Sequence, residues 1–183
     1  MIIYKLDLVF FQALNQFAAA GTFFGVVTVL VARWLPYIVV VLALAILLAW
    51  AKTSGWKRAC EITLTIFGVG LFTRFIIAEL IRWYWPRLRP FALLDWVVQL
   101  VPREASASFP SGHAVFFFTL AAMFWLFNRR IGYGFGLLAL VIGIARVMAG
   151  THWPSDIVAG ALIGIFAATV AGIVLRQQIS THA

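Results

Sequence analysis

Charge is what this sequence has least of: Lys, Arg, Asp and Glu make up 11% of its 183 residues, where a soluble domain carries about 25%. A water-facing globule needs more polar surface than that and a disordered chain more still, so both are excluded. Cysteine is almost missing. The lone Cys60 cannot close an internal disulfide, which removes the small secreted disulfide scaffolds, and its apolar neighbours make it a packing residue. Carboxylates are few, and Asp95, Glu104 and Asp156 are scattered, so they offer no clustered metal site. What fills the chain is hydrocarbon: 64% of residues are apolar and 16% aromatic. An integral membrane protein is therefore expected. Its net charge of +8 then belongs to cytoplasmic loops and anionic lipid, with no nucleic-acid partner.

A spanning helix takes roughly 20 mostly apolar residues. Five stretches answer to this, at 35–50, 59–83, 113–127, 134–149 and 157–175. The third and fourth are short, and are expected to run on by a few residues or to sit where the bilayer thins. Residues 1–33 leave two readings open. Lys5, Asp7, Gln12, Asn15 and Gln16 punctuate an aromatic stretch that suits a helix lying in the interface. Alternatively, 9–20 joined to 21–32 is long enough to cross as a sixth helix. The expected fold class is all-α, one membrane-embedded bundle of five or six transmembrane helices over 1–183, with 34–176 as its core. Lys52, Lys57, Arg58, Arg129, Arg130 and Arg176 all fall on one side, which the positive-inside rule makes the cytoplasm. Segment 84–112 and the turn 150–155 fall on the outer side, with or without a sixth helix.

Three outer segments carry polar residues that this pattern does not explain. In the first, Arg82, Arg87 and Arg89 crowd the side that should be poor in cations, where Pro86 and Pro90 end the helix and hold the backbone extended. They either anchor the chain to lipid headgroups or grip phosphate oxygens with their planar forks. In the second, Ser111 stands as N-cap of the third span, and Gly112 lets a ligand come close to the backbone. Free amides at a helix start favour an anion, and His113 follows on the first turn. In the third, Arg146 ends the fourth span, Asp156 opens the fifth, and a tight turn holds His152 between them. Asp156 either caps its helix beside an interfacial histidine or orients the His152 ring and leaves the other nitrogen nucleophilic. Ionisable groups at membrane depth are functional by default, and these come to the outer ends of four helices.

Read in order, Arg82-x6-Arg89-Pro90, Pro110-Ser111-Gly112-His113 and Arg146-x5-His152-x3-Asp156 resemble the three-part signature of the type 2 phosphatidic acid phosphatases, relatives of the vanadium haloperoxidases and glucose-6-phosphatase. Two positions depart: Arg82 stands where the family usually has lysine, and Ala145 where it tends to have serine. The resemblance implies a membrane phosphatase that needs no metal and no cofactor. His152 would attack phosphorus and become a phosphohistidine, Asp156 would orient it, and His113 would protonate the leaving oxygen. Arg82, Arg89, Arg146, Ser111 and the Gly112 amide would hold the phosphate oxygens. The compact chain, Asn15-Gln16 and the cluster from Arg87 to Pro90 are most similar to the small bacterial undecaprenyl-diphosphate phosphatases. That implies a lipid phosphate or diphosphate substrate at the outer face of the inner membrane. Phosphatidylglycerophosphate, phosphatidic acid and lipid A phosphatases share the same catalytic set. A transporter or anionic-lipid-binding protein is the alternative of another class. Arg74 and Glu79 on the second span read either as part of a structural intramembrane ion pair or as substrate contacts, with Glu79 able to pair with Arg82 at i+3. Gly132, Gly134, Gly136, Gly160 and Gly164 read as sites of close helix packing.

Overall fold

In hydrocarbon the backbone must bond within its own segment, so runs this apolar become helices. The computed structural model describes residues 2–102 and 106–181, and contains helices and no strands among them. Glu104 lies outside the described residues. Helices α1 (Ile2–Ala19), α2 (Thr22–Arg33) and α3 (Leu35–Ser54) come first. Helix α4 (Trp56–Phe72) passes through a π-helical turn, Thr73–Ile77, into α5 (Ala78–Tyr84), making one helical rod of 29 residues. The short α6 (Pro90–Leu93) precedes α7 (Gly112–Phe127), α8 (Arg129–Met148) and α9 (Pro154–Thr181).

Four of these spans, α3, the α4–α5 rod, α8 and α9, are long and apolar enough to cross a bilayer. Helix α7 has only 16 residues, yet it runs from one end of the bundle to the other. It starts where Arg82 of α5 donates to the Pro110 carbonyl at 2.8 Å, and it ends where Phe127 meets the Trp50 ring of α3 at 6.3 Å. It is almost wholly apolar because most of it is buried: Val115, Leu120, Met123 and Phe124 are enclosed by the outer helices, and Trp125 and Phe127 are exposed only near its far end. Val41, Leu64 and Phe166 on those outer helices are left facing outward, as a lipid solvent requires. The chain is a multi-pass membrane protein. Helix α8 begins five residues before the expected span because the Asn128 side chain caps it, accepting from the amides of Arg130 and Ile131.

The first 33 residues do not make a straight sixth crossing. The chain breaks between α1 and α2, whose axes are bent by 113°. Both halves pack against the same end of the bundle. Asn15 donates to the carbonyls of Val98 at 2.8 Å and Met148 at 2.9 Å, while Ala32 packs with Ala145 and Ala149. Asp7 and Asn15, expected at a wet interface, are instead buried against protein, so the two helices form a collar around that end. Small residues decide how tightly the rest closes. A Cβ on Gly160 would come within 2.9 Å of the Ser111 carbonyl, and one on Gly164 within 2.5 Å of the Val115 carbonyl, so α9 lies backbone to backbone on α7. Gly132 packs on Trp125 in the same way, but Gly134 and Gly136 meet nothing within 4 Å, and the packing expected of them is not found.

Candidate active site

The three arginines at and beyond the end of α5 go to three places. Arg82 stays under the start of α7, with Nη2 donating to Pro110 and Nη1 to Glu79 at 2.6 Å. Arg87 turns behind the site: its Nη1 donates to Ser155 Oγ at 2.7 Å and Asp156 Oδ1 at 2.8 Å, and its Nη2 to Asp7 Oδ2 at 2.6 Å. Arg89, 1% exposed, goes inward. Its Nη1 donates to the Thr151 carbonyl at 2.7 Å and reaches His152 Nε2 at 3.2 Å, while Nη2 donates to the Ala107 carbonyl at 3.1 Å.

The turn between α8 and α9 is built to hold His152 still. Gly150 takes a φ of +78°, and a Cβ there would stand 2.7 Å from the Val98 carbonyl, so only glycine fits. Thr151 Oγ1 donates back to the Arg146 carbonyl at 2.9 Å. Trp153 is buried against Phe11, donates Nε1 to the Leu88 carbonyl at 3.0 Å, and carries the Arg87 guanidinium over its face. The Asp156 carboxylate stands next to both of its expected neighbours, the helix start and the His152 ring. Its Oδ2 accepts from the Trp153 amide at 2.9 Å, capping α9, and stands 3.5 Å from His152 Nδ1. Arg89 has only donors to offer, so the Nε2 that faces it is the lone-pair nitrogen and the Nδ1 that faces Asp156 carries the proton.

The second segment closes the site from the α7 side. The Ser111 amide donates to the Asp156 backbone carbonyl at 3.1 Å. Ser111 occupies the N-cap position, but its hydroxyl makes no capping bond. It is buried without a hydrogen-bond partner among the described residues. His113 lies on the first turn with its ring stacked over Phe117. Gly112, His113 and Arg146 together line a cavity of about 660 Å³, with Arg33 and Arg74 beside them and Tyr37, Val40, Leu71 and Phe75 among its apolar walls. All eight residues singled out in the sequence, Arg82, Arg89, Ser111, Gly112, His113, Arg146, His152 and Asp156, thus meet at one end of the bundle. An anion would find guanidiniums, a helix start and a buried imidazole there.

The same stretch of chain is matched by a known family: residues 63–179 fit the profile of the PAP2 superfamily. The chain belongs to that superfamily. It is 29% identical over 168 residues to the bacitracin transport permease protein BcrC of Bacillus licheniformis, covering 90% of this chain and 78% of that one. It is 31% identical over 110 residues to an undecaprenyl-diphosphatase of Sulfolobus acidocaldarius, covering 60% of this chain and 53%, about half, of the relative. Among solved structures, the crystal structure of Aquifex aeolicus LpxE superposes with a TM-score of 0.72 at 26% identity, over 91% of this chain and 94% of LpxE.

Within this PAP2 protein, four residues stand at the site that the motifs did not indicate. Asp7 and Ser155 sit behind Asp156, sharing Arg87; the Ser155 amide also donates to Asp7 Oδ1 at 2.8 Å. Asp7 is the sole carboxylate before Glu61, and its place in an apolar stretch was the available signal. Arg33 and Arg74 line the cavity. The Arg82–Glu79 pair expected at i+3 exists at 2.6 Å, and the same Glu79 oxygen takes Arg74 at 2.6 Å. Arg74 has a second place besides, because its Nε lies 2.2 Å from where a Cβ on Gly112 would be. Ala145, which departs from the family serine, is buried in an alanine contact with Ala32 and Ala149, where α2 of the collar closes on α8.

Proposed function

We propose that this PAP2 protein works as a single unit, residues 1–183, that removes the terminal phosphate of undecaprenyl diphosphate at the outer face of the inner membrane, through a phosphohistidine and without a metal. The observation that carries the reading is the setting of His152: a buried imidazole with Nδ1 toward a carboxylate and Nε2 toward a guanidinium. In that setting Nε2 attacks phosphorus, an N–P bond forms, and the P–O bond to the lipid phosphate breaks. His113 gives its proton to the leaving oxygen. Water then attacks the phosphohistidine, His113 takes the water's proton, and the N–P bond breaks to release phosphate. Asp156 balances the charge on His152 throughout. Arg82, Arg89, Arg146, the Ser111 hydroxyl and the Gly112 amide hold the equatorial oxygens, so fixed cations stabilise the charge of the transition state.

Three features support the choice of substrate and side. The carboxylates near the site are each engaged by guanidinium, Asp7 and Asp156 by Arg87 and Glu79 by Arg74 and Arg82, which suits a site made for anions. The apolar cavity walls suit a lipid tail, and a relative is named undecaprenyl-diphosphatase. The cationic helix ends, at Lys52, Lys57, Arg58, Arg129 and Arg130, lie at the opposite end of the bundle, which favours an outward-facing site.

The test is phosphate release by purified protein from undecaprenyl diphosphate, phosphatidylglycerophosphate, phosphatidic acid and lipid A. The diphosphate is expected to be turned over fastest, with full activity in EDTA. His152→Ala should lower turnover by about 10³-fold or more with the fold intact. Radiolabelled terminal phosphate should be trapped on the wild type as an alkali-stable, acid-labile adduct. Turnover that survives His152→Ala, turnover that is lost in EDTA and restored by a divalent ion, or no phosphate release from any of the four lipids, as the transporter reading expects, overturns the proposal.

A further inference from the structure

The cavity beside His113 carries more positive charge than the transferred phosphate uses. The leaving oxygen departs on the His113 side, and the tail attached to it must follow the apolar walls of Tyr37, Val40 and Phe75. Arg74 and Arg33 line the same cavity as His113 and those walls. We propose that Arg74, assisted by Arg33, forms a subsite for the inner, leaving-group phosphate, and so selects lipid diphosphates over lipid monophosphates. The inference rests on the phosphatase reading above.

The chemistry separates the two substrate classes. Breaking the P–O bond of a diphosphate leaves a lipid phosphate, which carries charge in the transition state and afterwards. Breaking that of a monophosphate leaves an alcohol, neutral once His113 has given it a proton. A cation on the leaving side therefore lowers the barrier for the first and does little for the second. Arg74 is placed for that task. The π-helical turn puts it on the cavity wall, and such turns are frequent at functional sites. Gly112 gives it room, since any side chain there would occupy the space of the guanidinium. Among the described residues Glu79 bonds its Nη1 and the guanidinium lies over Phe75, so Nε and Nη2 keep donors for a further acceptor. The same Glu79 oxygen holds Arg82, which ties the leaving-group subsite to the subsite of the transferred phosphate.

The experiment uses farnesyl diphosphate and farnesyl phosphate, which share one tail and differ by the inner phosphate. Arg74→Gln is expected to lose about tenfold or more in kcat/KM on the diphosphate, the loss of one charge-assisted contact, and less than about twofold on the monophosphate. Arg74→Lys should recover part of the diphosphate rate, and Arg33→Gln should shift the ratio in the same direction by less. The monophosphate rate serves as the folding control. If wild-type protein does not turn the monophosphate over, its inhibition constant as a product replaces that rate and should rise about tenfold in Arg74→Gln. Equal losses on both substrates, an unchanged diphosphate rate, or an unchanged inhibition constant overturns the subsite. Inactivity of the wild type on both substrates, or full activity of His152→Ala, overturns the phosphatase reading instead.

Discussion

The Asp156 carboxylate meets the Trp153 amide, the Nδ1 side of His152, Arg87 and the Ser108 side chain. Two of these contacts separate under mutation. Asp156→Asn keeps the shape and an oxygen for the helix cap but removes the charge that, in the proposed mechanism, steadies a cationic His152. Turnover is expected to fall about 10³-fold or more with KM little changed, as measured by steady-state kinetics. Arg87→Ala acts elsewhere. It strands two buried carboxylates, Asp7 and Asp156, at a cost of about 3–5 kcal/mol, and should show first as a lower melting temperature in detergent. An Arg87→Ala protein as stable as wild type would mean that another cation serves those carboxylates. The His152–Asp156 pair was legible in the sequence because four residues across a turn and a first helical turn fix its geometry. Arg87 was legible only as one of a cluster: its partner Asp7 is 80 residues away, and no short pattern joins them.

Helices α7 and α9 are the pair on which the site is mounted, since α7 brings Ser111 to His113 and α9 brings Asp156. Their spacing depends on Gly160 and Gly164, whose neighbours are backbone atoms that cannot step aside. Gly164→Val should therefore destabilise the protein by about 1–3 kcal/mol through overpacking, and lower turnover by moving Asp156 against the Ser111 amide. Gly134→Ala, which meets nothing within 4 Å, is expected to be neutral or stabilising. Thermal unfolding of the two variants in detergent checks the contrast, and equal effects would refute it. Helices of this kind were legible because length and hydropathy alone define them, and each of the five expected stretches is present with ends shifted by a few residues. The break between α1 and α2 was not. Residues 9–32 are apolar on both sides of Gly21, and what folds them back is long-range: Asn15 on Val98 and Met148, and Ala32 on Ala145.

Across the whole molecule, charge is divided by end. The site end gathers Arg33, Arg74, Arg82, Arg87, Arg89 and Arg146, with Asp7, Glu79 and Asp156 among them, while the opposite helix ends carry Lys52, Lys57, Arg58, Arg129 and Arg130 with Glu61. Most of the site's own cations are held by carboxylates and carbonyls and are at least partly buried, which leaves Arg33 and Lys5, among the described residues, as exposed cations at this end against five at the other. The opposite cluster is exposed, and it is the exposed one that the positive-inside rule counts. Exposed Trp83, Tyr84 and Trp85 at the site end and Trp56 at the other mark the two aqueous boundaries between which the bundle sits. In a Cys60→Ala background, Asp95→Cys is expected to react with a membrane-impermeant maleimide in intact spheroplasts, and Thr53→Cys only after permeabilisation. Both positions are exposed, so burial does not decide the result. The reverse pattern would turn five cations outward and place the lipid phosphate in the cytoplasmic leaflet. It would leave the His152 cluster intact and remove the argument for an outer-face substrate.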